Sequence, residues 1–267
     1  MPGMGTVVVC SLAVGYVCGS FLTAELVSKH VSGKSAFDVG MGNPGMANMG
    51  ATYGTGWAAV TLAGDIAKTI LAFVLARSLF PATADVAGTA AAVGATLGHV
   101  FPAWHRFHGG KGVATTCAGI ILVAPVAGGI AAMTGLLVVL FGGYLCLGAL
   151  VIPAVWLAIE LACQDTVHTI AGALLVAVAV WCHGGPAAGI RTGETPRASI
   201  SKNVPLVVVQ KSSLKPSRRP REPSSADVRG VCRRTFGSYR SPATPAHTQP
   251  HIVRPRTSAR ASRGGKQ

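Results

Sequence analysis

The stretch Gly98–Thr115, GHVFPAWHRFHGGKGVAT, gathers His99, His105, Arg106, His108 and Lys111 into eighteen positions. Gly109, Gly110 and Gly112 bracket the lysine. Glycines leave room for backbone N–H groups to converge on a ligand. A helix beginning at Val113 would add its partial positive end. Lys111 supplies a full charge. Together these residue types make a seat for a phosphate. It is not a nucleotide loop of the GxxxxGK[ST] kind, because Lys111 is followed by Gly112 and then an apolar segment.

The elements that must position this seat are apolar. Half of the 267 residues are hydrophobic, and the formal charge is +14. The two properties belong to different parts of the chain. Through Ile190 there are six Lys or Arg and six acids, so that part is neutral. From Arg191 onward there are 17 basic and 3 acidic residues, which accounts for the whole excess. The sequence therefore predicts a membrane domain over 1–190 and a basic tail over 191–267. The tail carries nine prolines and is rich in Ser and Arg. Apart from the apolar run Val204–Val209, it lacks the surface needed to fold and is expected to be disordered. It would touch anionic lipid or nucleic acid without specificity, and it contains no nucleic-acid-binding motif.

A bilayer core needs about 20 helical residues at ~1.5 Å each. Thr6–Val27, Trp57–Phe80, Asp85–Val100, Pro125–Gly143, Cys146–Cys163 and Val167–Cys182 read as spans. Val113–Val123 is shorter and reads as a half-helix dipping in behind the phosphate seat. The predicted fold is an all-α integral membrane protein with about seven transmembrane helices, the short one included. Gly15 and Gly19 would let another helix approach the first span closely. Ser28–Gly56 reads as a polar, glycine-rich loop. Asp65 and Lys68 share one face of the second span, where ionisable groups are expensive. They form either an ion pair that joins helices or part of a site.

Lys29 and Lys34 follow the first span, and Arg106 and Lys111 follow the third. With the tail, they place these loops in the cytoplasm and the N-terminus outside; Arg77 opposes this. The seven cysteines contain no CxxC pair, and no metal or disulfide framework is expected.

Gly98–Thr115 resembles the second motif, GHxFPxxxxFKGGKGVAT, of the bacterial acyl-phosphate:glycerol-3-phosphate acyltransferases, small multi-spanning enzymes of the cell membrane. Twelve positions agree, and His108 replaces the first lysine of the pattern. The family's first motif, GSGNxGATNVxR, aligns on Gly40, Gly42, Asn43, Pro44, Gly45 and Asn48. That register leaves Asn43 22 positions before Asp65, as the family's DxxK pair requires. Met41, Ala47 and Ala51 then stand where the family has serine, threonine and arginine. The third motif, HxxNIxRLxxGxE, is matched by His183, Gly193 and, one position early, Glu194. Pro186 and Gly189 replace its asparagine and arginine, and Arg191 lies two residues beyond. Cys146–Ala149 echoes a family SLGA segment with the serine replaced.

The resemblance implies acyl transfer from acyl-phosphate to the 1-hydroxyl of glycerol 3-phosphate, giving lysophosphatidic acid and phosphate. It implies membrane lipid as the medium and no cofactor. Lys111 and His183 would be the catalytic side chains. Gly42, Asn43, Gly45, Asn48, His99, Gly109, Gly110, Gly112 and Thr115 would hold substrate. Met41, Ala51 and Pro186 leave open a non-catalytic member that binds a lipid phosphate or a partner. Asp65, Lys68 and the half-helix would also suit a small transporter.

Overall fold

The computed structural model describes residues 2–163, 165–195, 198–201 and 204–208. All fall within the first of the chain's two units, Met1–Ser212. Among the described residues, the helices are α1 (Met4–Gly19), α2 (Thr23–Ser32), α3 (Met46–Tyr53), α4 (Thr55–Leu79), α5 (Ala84–Val100), α6 (Val113–Val123), α7 (Pro125–Gly142), α8 (Leu145–Ala162) and α9 (Thr166–Ala188). Six stretches are long and apolar enough to cross a bilayer: Met4–Ser32, Thr55–Leu79, Pro81–His105, Pro125–Gly142, Leu145–Ala162 and Thr166–Ala188. The apolar helix α6 is shorter, at 11 residues.

Helix α5 lies at the centre. From Ala87 to Val100 it is buried almost throughout, and Ala, Gly and Thr keep it narrow enough to be surrounded. Its crossing with α1 is built from small residues on both sides. A Cβ on Gly15 or Gly19 would collide with the carbonyls of Ala91 and Ala95. A Cβ on Gly94 or Gly98 would collide with those of Leu12 and Tyr16. The expected close approach at Gly15 and Gly19 is thus made, and α5 answers it with glycines of its own. A second core forms around buried Trp156, with Val93, Ile120, Ile152 and Leu175 from four other positions of the bundle.

Two expectations need correction. The first span is not one helix, because the chain breaks between Gly19 and Thr23. The break frees carbonyls that other elements take up. Trp104 Nε1 donates to Ser20 O at 3.0 Å, and Lys68 Nζ donates to Phe21 O at 2.8 Å. Nor is Ser28–Gly56 a loop throughout, since it contains the end of α2, all of α3 and the start of α4. Eight residues are too few to be helical alone. Helix α3 stands because Met49 is fully buried with Ala24, Val27 and Ala36.

Beyond α9, Ala198–Ser201 (β1) and Val204–Val208 (β2) pair as antiparallel strands, with Ala198 opposite Val208 and Ser201 opposite Val204. The sequence expectation gave this stretch no fold. A run of β-branched residues favours a strand once a partner is near. The remainder of the expected tail, 209–267, lies outside the described residues.

Candidate active site

Lys111 is exposed at the entrance to α6. It leaves the loop just before Gly112, which takes φ 75° at the N-cap and contributes no side-chain cap. The leading N–H groups of α6 are therefore uncapped by any side chain and face the same way as the helix dipole. Thr115, fully buried, donates from Oγ1 to Gly112 O at 2.9 Å and closes this first turn.

His183, near the end of α9, comes to the same place. Lys111, Val113, Thr116, Ala149, Ile152 and His183 line an open cleft. His183 is 4% exposed, and its ring makes no hydrogen bond of good geometry within the protein, with the Lys111 main chain as its nearest polar partner. A buried imidazole so weakly partnered is costly. The two side chains singled out as catalytic in the sequence thus share one cleft. Thr116, not singled out there, lines both this cleft and a second, mostly apolar pocket that reaches Trp156 and has room for little more than one water.

The glycine loop is less open than its composition suggests. Gly110 N–H donates to His99 O at 3.0 Å, so it is already engaged. A methyl on Gly109 would strike His99 O, and one on Gly110 would strike His99 Nε2 and approach Pro44 O. These two glycines are required first by packing against His99. Because Pro44 abuts Gly110, the loop of the first motif sits directly against the loop of the second. Phe37 and His105 extend that contact, with ring centroids 5.6 Å apart.

Within the first loop the candidate residues divide. Asn48 is fully buried. Its Oδ1 accepts from Met41 N at 2.7 Å and Thr52 Oγ1 at 3.4 Å. Its Nδ2 donates to Ala36 O at 3.2 Å and Val39 O at 3.0 Å. That fills the capacity of an amide side chain, so Asn48 shapes the loop. Asn43 is half-buried, and its backbone carbonyl accepts from Gly45 N at 2.9 Å. Gly42, at φ 67°, turns the loop, and Gly45 starts α3.

His99 does not line the cleft. It is 3% exposed and joins Asp65 and Lys68, 2% and 6% exposed. Lys68 Nζ lies 2.9 Å from Asp65 Oδ1 and 2.7 Å from His99 Nδ1. Sequence reading took Asp65 and Lys68 as a pair and His99 as a separate substrate contact; the structure unites all three. The available signal was that a lysine, with three donors, is under-satisfied by one carboxylate in an apolar core.

The family model described as glycerol-3-phosphate acyltransferase matches residues 9–193. Glycerol-3-phosphate acyltransferase 1 of Lactobacillus johnsonii is 40% identical over 131 residues, 49% of this chain and 63% of that protein. Its Lactobacillus acidophilus counterpart is 43% identical over 103 residues, 39% of this chain and 49% of that protein, so the chain spans less than two thirds of the length of each of these two relatives. The Desulforudis audaxviator glycerol-3-phosphate acyltransferase is 32% identical over 73% of this chain and 98% of that one. The crystal structure of PlsY (YgiH), an integral membrane glycerol 3-phosphate acyltransferase, in its glycerol 3-phosphate form, superposes with a TM-score of 0.65. It covers 72% of this chain and 96% of that one at 21% identity, a likeness of fold. With the family match running through nearly the whole helical region, the chain belongs to the glycerol-3-phosphate acyltransferase family.

Proposed function

We propose that this protein transfers an acyl group from acyl-phosphate to the 1-hydroxyl of glycerol 3-phosphate, releasing lysophosphatidic acid and phosphate. The observation that carries the reading is the meeting of Lys111 and His183 in one open cleft at the uncapped start of α6. Lys111 and the first N–H groups of α6 would neutralise a substrate phosphate. Asn43 would donate from the facing loop. The glycerol hydroxyl oxygen attacks the acyl carbonyl carbon, and the bond from that carbon to the phosphate oxygen breaks. The hydroxyl proton leaves with phosphate, and His183 would pass it. An acyl phosphate is already activated, so positioning and charge neutralisation suffice without a side-chain nucleophile. The acyl chain would lie among the apolar helices. The protein would sit in the bacterial cell membrane with this cleft on the cytoplasmic side.

A second reading, a non-catalytic member that binds a lipid phosphate, is favoured by Met41, Ala51 and Pro186 at positions where the family pattern has serine, arginine and asparagine. One assay separates the two. Purified protein in lipid receives acyl-phosphate and glycerol 3-phosphate, with wild type, Lys111→Ala and a form lacking 198–267 in parallel. Loss of one charge-assisted bond, about 1.5–3 kcal/mol, should lower kcat/KM of Lys111→Ala by about 10- to 150-fold. Equal activity in Lys111→Ala would remove Lys111 from the site. No turnover by folded wild type, full-length or shortened, would establish the binding reading instead.

A further inference from the structure

We infer that Asp65, Lys68 and His99 form a buried strut that positions the glycine loop, and that the three act as positioning residues for Lys111 rather than as helix glue. The inference rests on the reading of that loop as a phosphate seat. Lys68 has three donors and no acceptor. All three are placed: Asp65 Oδ1 at 2.9 Å, Phe21 O at 2.8 Å and His99 Nδ1 at 2.7 Å. Thr23 Oγ1 adds a donor to Asp65 Oδ1 at 3.4 Å. Because Lys68 can only donate, His99 Nδ1 accepts, and the ring hydrogen of the neutral imidazole sits on Nε2.

That Nε2 edge is pressed against Gly110 so closely that a methyl there would collide with it. On its main chain, His99 O accepts the Gly110 N–H at 3.0 Å. His99 therefore grips Gly110 with both its ring and its carbonyl, one residue before Lys111. Beyond Gly110 lies Pro44 O, so the same contact sets the spacing of the two loops. The base of the strut is the break between α1 and α2, where Phe21 O is free because the helix stops. Four separate features thus converge on one glycine: a broken helix, a DxxK pair, a histidine at the end of α5 and an engaged loop N–H.

A buried ion pair is poor glue, since an apolar pair of similar volume packs as well or better. Its retention here is explained by its directionality, which an apolar pair lacks: the ammonium fixes the imidazole, and the imidazole fixes the loop.

The test compares wild type with His99→Asn and with the double variant Asp65→Asn/Lys68→Met. An asparagine at 99 keeps an acceptor for Lys68 and removes the ring from Gly110. The double variant removes both charges together, so neither is left buried alone. Thermal unfolding in detergent reports folding. Hydrogen exchange of the segment containing Gly109–Gly112 reports the grip. KM and kcat for glycerol 3-phosphate report its consequence. In His99→Asn, the expected result is an unfolding midpoint near wild type and about tenfold faster exchange at the loop. KM should rise about tenfold with kcat changed much less. The double variant should show the same loop exchange and KM; if it does not fold, His99→Asn decides alone. Unchanged exchange and unchanged KM in folded His99→Asn overturns the strut. If wild type turns over no substrate, the proposed function fails, while the exchange measurement still decides the strut.

Discussion

His183 is the residue where stability and activity should separate. Its ring is buried at the cleft without a well-formed hydrogen bond within the protein, and leaving a buried polar group unsatisfied costs about 1–3 kcal/mol. Replacing it with an apolar ring of similar size removes that penalty. His183→Phe should therefore unfold at the same temperature as wild type or higher. If His183 passes the proton, turnover should fall by about 100- to 10,000-fold. A lowered unfolding midpoint with activity intact would instead make His183 a structural core residue. Asn48 shows the opposite character: all its bonds are internal, so it serves the substrate only through the shape of the loop. Sequence alone could not divide these two. Both are polar residues matched to a family motif, and only the placement of their neighbours tells an engaged amide from a weakly partnered imidazole.

At the scale of elements, the spans were legible because a bilayer demands long apolar runs, and the glycines of α1 announced a close helix contact. The break at Ser20–Leu22 was not legible. It depends on Lys68 and Trp104, which arrive from elements far along the chain to take the freed carbonyls. Helix α3 was hidden for a related reason, since its eight residues are held by packing and not by propensity. The α1–α5 crossing can be tested with a pair of glycines. Gly98 lies against Tyr16 O and Ser20 N, and its neighbour in sequence is His99. Gly98→Val should destabilise by about 1–3 kcal/mol through overpacking, and it should raise KM by displacing His99. Gly129, on α7, has open space around its would-be Cβ. Gly129→Ala should be neutral or stabilising by up to about 1 kcal/mol. Equal melting temperatures for both variants would mean that the α1–α5 contact has room the structure does not show.

At the scale of the whole molecule, the site constrains the winding of the chain. Lys111 begins α6 and His183 lies near the end of α9, yet they share a cleft. Four helices separate them, so for both ends to lie on one side, α6 must count as a leg of the winding. Its 11 residues would then rise only ~16 Å against a ~30 Å hydrocarbon core. A half-helix that returned to its own side would leave His183 at the opposite face. The charge distribution agrees with a single basic side. Arg77, the residue that opposed it, is paired with Asp85 at 2.8 Å and carries little net charge to its surface. Lys29 is similarly paired with Glu25 at 3.1 Å, which leaves Lys34, Arg106, Lys111 and the C-terminal basic residues to set orientation. Labelling with a membrane-impermeant maleimide checks this, in variants that retain only the cysteine under test. Native Cys163 and Ala82→Cys should react from outside intact cells stripped of their wall. Arg106→Cys and Arg191→Cys should react only in inverted vesicles. Labelling of Arg191→Cys from the same side as Ala82→Cys, with Cys163 reacting only in inverted vesicles, would mean that α6 turns back, and that Lys111 and His183 belong to opposite faces of the membrane.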